Sequence, residues 1–283
     1  MFAFICGVIM MTLLASLGVG LALNQDIGEG RLTFFGSNSN TVGVYLSMSF
    51  TIIIIMIFNR QNYFRGKTFL LLLSLPSMLT MIGLTGSRGA LVIVAVGLVF
   101  FFITYKTSLV KRILILSGGL LVFVFSVQKI LESEIMQSRL DDALSGNSAG
   151  RDMIWDIALN IFFESPLSGH GATGYEYLMI QNNSGTYMDT HNLFLYLMVT
   201  GGIVALMLFV VFLIMVYKSA LFIYKINGDS IMLILLAVYL FNVSKAGGII
   251  NAKAMWLMLS LIYSYKYSLI FASRKLTPSH KVI

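Results

Sequence analysis

Long apolar runs dominate this sequence and decide what it can fold into. Eight runs of about 15 to 25 residues, bounded by charged residues, cover most of the chain. A helix needs about 20 such residues to cross the hydrocarbon core of a bilayer. Apolar residues make up 58% of the chain and charged residues 11%, whereas soluble domains carry about 25% charged residues. The sequence therefore excludes a soluble enzyme and predicts an all-α fold, a polytopic bundle of transmembrane helices.

The charges between the runs predict the topology. The predicted spans are 2–23, 41–58, 68–84, 89–105, 113–127, 192–216, 231–250 and 254–270. Lys and Arg mark four segments, 59–67, 106–112, 217–230 and the carboxyl-terminal tail, and such segments face the cytoplasm by the positive-inside rule. Eight spans then place both termini inside the cell and the long loop 128–191 outside. No Lys or Arg precedes Arg31, so we interpret the first run as an uncleaved span rather than a signal peptide.

The outer loop has a charge of its own. Residues 128–191 contain nine acidic and three basic residues, although the whole chain has a net charge of +7. The basic pI of about 9.4 therefore reflects topology and not nucleic-acid binding. Within the loop, a polar residue recurs every fourth position between apolar ones, which predicts an amphipathic surface helix that ends before Pro166. The polar positions are Asp152, Asp156, Asn160 and Glu164, and the apolar ones are Ile154, Ile157, Ala158, Ile161 and Phe162.

Cysteine and histidine give no metal-ligand pattern. Cys6 is the single cysteine, so the chain forms no internal disulfide, and the three histidines are not clustered with other ligand residues. We expect one integral membrane domain over 1–283, with neither a metal nor a cofactor.

Two arginines are candidates for binding an anion. Arg88 lies in Thr85-Gly-Ser-Arg-Gly-Ala90, a short break between two apolar runs on the outer side, and Arg151 opens the surface helix. An interfacial arginine can simply reach the lipid headgroups. The alternative is a phosphate site, because a guanidinium presents a planar fork of donors to phosphate oxygens.

His191 is the candidate general base, because it lies where the outer loop returns to the membrane and titrates near neutral pH. A polar anchor at the interface is the simpler interpretation. His170 competes for the catalytic role, but it lies between Gly169 and Gly171, and catalysis needs a fixed geometry. Lys245 inside the seventh span is a further site candidate without an assigned role.

Four segments in order together resemble the superfamily of O-antigen ligases and Wzy-type polysaccharide polymerases, which are bacterial membrane glycosyltransferases. They are Arg31-Leu-Thr-Phe-Phe-Gly-Ser-Asn-Ser-Asn40, the break around Arg88, Arg151-Asp-Met-Ile-Trp155 with Pro166-Leu-Ser-Gly-His-Gly171, and Thr190-His-Asn-Leu-Phe-Leu-Tyr196. The sequence departs from the family pattern at Phe34, Ser39 and Thr200, where Gly, Pro and an acidic residue are usual. Family members usually have further spans at the amino terminus, so this chain is a short member or a fragment.

The resemblance implies a function. Such proteins have a fold similar to glycosyltransferases of type C and take a glycan from an undecaprenyl diphosphate carrier, without a metal. They transfer it to a sugar hydroxyl on a lipid-linked or lipid-core acceptor, in the synthesis of O-antigen, capsule or exopolysaccharide. By similarity, Arg88 and Arg151 bind the diphosphate and His191 takes the proton of the acceptor hydroxyl. Arg31, Asn40 and Asn192 are expected to bind substrate.

Two other interpretations stay open at this point. A transporter or flippase for a lipid-linked or anionic substrate would also carry cations within a helix bundle, although the sequence shows no internal repeat of the kind common in transporters. The other interpretation is that the chain is a degenerate, non-catalytic member of the family.

Overall fold

The structure is a computed structural model that describes residues 2–24, 31–58, 68–105, 150–244 and 253–276, with isolated positions between 107 and 144. It divides into two compact units, Met1–Ser148 and Ala149–Ile283. The first contains α1 (Phe2–Ser16), β1 (Leu21–Asn24), β2 (Arg31–Phe34), α2 (Ser39–Phe58), α3 (Thr68–Leu84) and α4 (Arg88–Thr104). The second contains α5 (Arg151–Glu164), α6 (Gly171–Asn182), α7 (Leu193–Asn227), α8 (Ile231–Val243) and α9 (Lys253–Leu276).

The described residues are mostly helical, in agreement with the predicted fold class. Within them, α2 and α7 contain helices long and apolar enough to cross a membrane, while α1, α3, α4 and α8 are shorter apolar helices. Only isolated positions of the predicted span 113–127 are described, and Lys245 lies outside the described residues. The count of eight spans therefore stays a prediction.

A β-hairpin replaces the end of the first predicted span, so the prediction of one continuous helix over 2–23 is wrong. The helix α1 ends at Ser16 because Gly18 and Gly20 adopt positive φ angles of 79° and 76°, which glycine accepts without steric cost. The chain then forms strand β1, which pairs antiparallel with β2. Arg31, at the start of β2, pairs with Asn24 across this hairpin.

Helices α2 and α4 pack closely through small residues. Ser47 in α2 donates a hydrogen bond from Oγ to the carbonyl oxygen of Ala90 in α4, at 2.8 Å. A Cβ added at Gly43 would lie 3.0 Å from the Cβ of Ala90. Backbones approach this closely only where side chains are small, and the contact fixes the first turn of α4, which begins at Arg88.

Gly86 lies in the turn between α3 and α4, with a φ of 60°. The close packing of α2 against α4 depends instead on Gly43 and Gly97, where an added Cβ would meet the facing helix.

Substitution of Gly97 tests this packing. A Cβ at Gly97 would collide with the side chain of Thr51 in α2, so Gly97→Val should destabilise the protein by about 1–3 kcal/mol. Gly7→Val is the matched control, because no atom lies within 4 Å of a Cβ at that position in α1. Thermal unfolding in detergent should show a lower Tm for Gly97→Val but not for Gly7→Val. The double variant Gly97→Ala with Thr51→Ala, in which both side chains are small, should have a Tm between those of Gly97→Val and the wild type. Equal Tm values for the two valine variants would contradict the packing.

Candidate active site

Three helices of the second unit share one hydrophobic core, and residues 150–203 around it are called the loop module below. The core unites α5, α6 and the first turns of α7. Its buried members are Ile154, Ala158, Ile161, Phe162, Tyr175, Met179, Leu195 and Val199. Because helices of this length are marginal in isolation, this shared burial is what makes the module fold.

The surface helix is confirmed as α5. It runs over Arg151–Glu164 and buries Ile154, Ala158, Ile161 and Phe162, which are four of the five predicted apolar positions. The four polar positions of the predicted stripe are exposed. Arg151 is the first residue of this helix and is half-buried.

The second helix of the module, α6, was not predicted. Gly171 and Gly174 belong to α6, although glycine lowers helix propensity. Tyr175 and Met179 bury one face of this helix in the module core. Their spacing of four residues is the helical signal that the neighbouring glycines obscured.

Helix α7 is broken at Gly202, which has a φ of 66° and a ψ of −169°. In a regular helix, the N–H of Ile203 would bond to the carbonyl oxygen of Val199. Here the Ile203 N–H donates instead to the Pro166 carbonyl oxygen, at 2.8 Å. The Val199 carbonyl accepts from the N–H of His170, at 2.9 Å. One intrahelical bond is thus exchanged for two bonds to the segment between α5 and α6.

We call the bonded segments 165–170 and 199–203 the backbone clamp. Glycine is required in both segments. A Cβ at Gly202 would collide with the Leu167 carbonyl, and a Cβ at Gly169 would collide with the backbone at Thr200 and Gly201. The absence of a side chain at Gly202 lets the loop approach the break in α7 closely.

His170 has a structural contact within the clamp. Its Nε2 lies 2.8 Å from the Ile161 carbonyl oxygen, and a carbonyl only accepts, so Nε2 carries the proton. This contact satisfies a carbonyl in the last turns of α5, where helices leave such groups without intrahelical partners. The histidine that competed with His191 for the catalytic role is therefore engaged in holding α5 against the loop.

The turn that carries His191 is anchored to α5. Trp155 donates from Nε1 to the Thr190 carbonyl oxygen at 2.8 Å, and Thr190 is fully buried. Asn192 begins α7, where its side-chain oxygen accepts from the N–H groups of Phe194 and Leu195. The turn is thus fixed at both neighbours of His191, as a catalytic geometry requires.

His191 itself is exposed and adopts a left-handed conformation, with a φ of 49°. Non-glycine residues seldom occupy this region, although histidine does so more often than most, and residues in such strained conformations cluster at active sites. Its backbone N–H donates to Asp189 Oδ1 at 2.7 Å, which holds the turn in this conformation.

The surroundings favour the neutral imidazole of His191. Desolvation by the surrounding protein lowers the pKa of His191 below its ordinary value of 6.5, although part of the residue stays exposed. The carboxylate of Asp189 opposes this shift, and the positive charge of Arg151 lowers the pKa further. At neutral pH the imidazole can therefore accept a proton.

The structure brings some of the predicted site residues together. His191, Arg151 and Asn192 belong to the loop module, and Arg151 is close enough to His191 to affect its charge. Arg88 and Asn40 belong to the first unit, where Arg88 is the first residue of α4 and Asn40 is the second residue of α2. The backbone of Arg31 lies in β2. Trp155 lies in a segment that resembles the family, but its anchoring role was not predicted. Its bond to Thr190 joins residues 35 positions apart, which no local pattern indicates.

No group of three or more His, Cys, Asp or Glu residues that could hold a metal ion occurs in the described parts of the chain. The expectation that the reaction needs no metal stays a prediction.

A family model described as O-Antigen ligase, Wzy_C, matches residues 69–210, which is half of the chain. The match begins in α3 and ends in α7, so it includes Arg88, Arg151 and His191. The fold and site define a helical membrane protein with an interlocked loop module. The chain belongs to the O-antigen ligase family. No curated protein matches it.

The backbone clamp can be tested with two glycines of the same loop. Gly169 and Gly171 have similar φ angles, 66° and 72°, so alanine at either costs about 1–2 kcal/mol of backbone strain. Only at Gly169 would the new Cβ also meet backbone atoms, since nothing lies within 4 Å of it at Gly171. Gly169→Ala should therefore lower the Tm of the purified protein clearly more than Gly171→Ala. Equal losses would contradict the interlock of loop and helix.

Proposed function

We propose that this protein is a membrane glycosyltransferase that transfers or polymerises a glycan from an undecaprenyl diphosphate carrier onto a sugar hydroxyl. The product is a surface polysaccharide such as O-antigen, capsule or exopolysaccharide. The observation that carries the proposal is the proximity of His191 to the cation Arg151, with the His191 turn anchored by Trp155 to the helix that Arg151 begins. Membership of the O-antigen ligase family supports the same chemistry.

The two side chains have complementary roles in this reaction. The acceptor oxygen attacks C1 of the donor sugar while its proton passes to the imidazole of His191. The bond between C1 and the diphosphate oxygen breaks, and the electron pair leaves with the diphosphate. The negative charge on the leaving group grows, and Arg151 stabilises it. The amino-terminal end of α5, where Arg151 lies, adds partial positive charge.

The other assignments rest on the family resemblance. Arg88 is proposed as a second ligand of the diphosphate, and Arg31, Asn40 and Asn192 as substrate-binding residues. Arg31 and Asn40 precede the matched stretch 69–210. The side chain of Asn192 already accepts two backbone hydrogen bonds, so its amide NH₂ is the group left to donate to substrate.

The setting of the proposal is the bacterial cytoplasmic membrane. Both termini lie in the cytoplasm and the loop module lies on the outer face, where the lipid-linked donor and the acceptor meet. As one straight helix, the 35 residues of α7 would extend about 52 Å, well beyond the roughly 30 Å of the hydrocarbon core. Part of α7 therefore extends beyond the hydrocarbon core, and its carboxyl-terminal part, which contains Lys218 and Lys225, is expected on the cytoplasmic side.

Complementation tests the catalytic roles. In a host that lacks the gene, His191→Ala should reduce glycan transfer about 10²–10⁴-fold, because the general base is lost. Arg151→Ala should also abolish long chains. Lys218→Ala and His280→Ala are controls, since Lys218 is an exposed cation far along α7 and His280 lies far from the loop in sequence. Glycan length on gels is the measurement.

Each outcome of this experiment has a distinct meaning. Long chains lost while single repeat units stay attached indicate a polymerase, whereas loss of all attachment to a lipid core indicates a ligase. Full-length glycan from both His191→Ala and Arg151→Ala cells would contradict the mechanism. An unchanged glycan in the deletion strain itself would contradict the function.

The pH profile gives an independent prediction. Because the pKa of His191 is lowered in the free protein, kcat/KM should stay constant through neutral pH and fall only when the pH drops below the ordinary pKa of histidine. Asp189→Asn removes the charge that raises this pKa, so the acid limb of kcat/KM should move to lower pH. Asparagine keeps an oxygen for the His191 N–H, and exposed Glu164→Gln at the far end of α5 is the control. An acid limb that stays in place or moves to higher pH would exclude His191 as the base.

A further inference from the structure

A cluster of tyrosines adjoins the turn that carries His191. The ring of Tyr175 contacts those of Tyr187 and Tyr196 edge-on, with centroids 6.1 Å and 6.0 Å away. Tyr175 is fully buried, and its hydroxyl donates to the Met188 carbonyl oxygen. The buried ring of Tyr175 therefore holds the other two rings in place.

The two outer rings remain accessible. Tyr187 is 40% exposed and Tyr196 is half-buried. An aromatic ring that is held in place and still open to solvent offers a rigid apolar surface at low entropic cost. Such a surface suits a ligand with an apolar face and a polar edge.

Two carboxylates complete the surroundings. Both Asp189 and Glu176 interact electrostatically with the hydroxyls of Tyr187 and Tyr196. Burial together with these charges raises the pKa of Tyr187 to about 12, so its hydroxyl stays protonated and can donate. Asp189 uses Oδ1 for the His191 N–H, and a carboxylate can accept several hydrogen bonds. The cluster thus combines apolar rings with hydrogen-bond acceptors, next to the proposed base.

We propose that Tyr187, Tyr196, Asp189 and Glu176 form a subsite that binds the pyranose ring of the acceptor sugar, an inference that rests on the proposed glycosyl transfer. The C–H face of a pyranose packs on an aromatic ring, and its hydroxyls donate to carboxylates in strong charge-assisted bonds. The same carboxylates repel an anion, which separates this subsite from the diphosphate bound by Arg151. The subsite selects neutral or amino sugars over uronic acids.

Binding of simple methyl glycosides to the full chain in nanodiscs tests this subsite without turnover. The probes are methyl glycosides of hexoses, N-acetylhexosamines, 6-deoxyhexoses and glucuronic acid, followed by NMR at pH 7. At least one neutral glycoside should bind, and methyl glucoside should bind better than methyl glucuronide. Tyr187→Ala should weaken the binding at least about 10-fold, a loss of about 1.4 kcal/mol. Asp189→Asn should lower the ratio of the affinity for methyl glucoside to the affinity for methyl glucuronide.

Matched variants separate the subsite from a general loss of structure. Tyr177 lies in α6 beside Glu176, is 66% exposed and has no part in the proposed subsite. Tyr177→Ala should therefore leave glycoside binding unchanged. Tyr187→Phe keeps the ring and its contact with Tyr175, so it should keep most of the binding. The proposal is overturned if no neutral glycoside binds, if Tyr177→Ala weakens binding as much as Tyr187→Ala, or if glucuronide binds as well as glucoside.

Failure of the subsite and failure of the proposed function look different. Glycoside binding and glycan transfer are measured separately. Normal binding by Tyr187→Ala beside an inactive His191→Ala refutes the subsite alone. An unchanged glycan in the deletion strain refutes the proposed function, whatever the glycosides do.

Discussion

The exchange of hydrogen bonds at Gly202 is the interaction on which the loop module depends. A helix of 35 residues would normally satisfy its own backbone, and a break near a membrane leaves polar groups that lipid cannot satisfy. Here Pro166 and His170 supply the missing acceptor and donor from the segment between α5 and α6. The break and the loop therefore require one another, and neither forms at low cost alone.

This exchange determines where the reactive groups lie. The clamp joins the end of α5 to α7, and Trp155 joins the first half of α5 to the turn before α7. Arg151 at one end of α5 and His191 at the start of α7 are thereby held in the same module. Their proximity has an electrostatic consequence, because a nearby cation and partial desolvation both favour a neutral imidazole. The proposed base and the proposed ligand of the diphosphate thus lie near one another.

Local sequence patterns predicted the local structure well. The bounds of α3 agree with the predicted span, and α5 buries the face that its periodicity indicated. The hairpin after α1 was missed because Leu21 and its neighbours are as apolar as the helix before them. The helix α6 was missed because Gly171 and Gly174 lower helix propensity, and only burial of Tyr175 and Met179 compensates.

The contacts that assemble the site could not be read from local patterns. The bond between Trp155 and Thr190 and the clamp at Gly202 join residues about 35 positions apart. A Gly-Gly pair is compatible with close helix packing and with a helix break, and only the incoming loop decides between them. The proposed roles of Arg151 and His191 come from the family resemblance, whereas the structure shows how these two residues are held.

The chain has three histidines, so NMR of the protein with ¹⁵N-labelled histidine in nanodiscs tests both halves of this account in one sample, with single His→Gln variants for assignment. The account predicts that His170 carries its proton on Nε2 and that its backbone N–H exchanges slowly, because it is bonded to Val199. It also predicts that His191 is neutral at pH 7 and takes up a proton only below pH 6.5. A rapidly exchanging His170 amide, or a His191 that is protonated at pH 7, would contradict it.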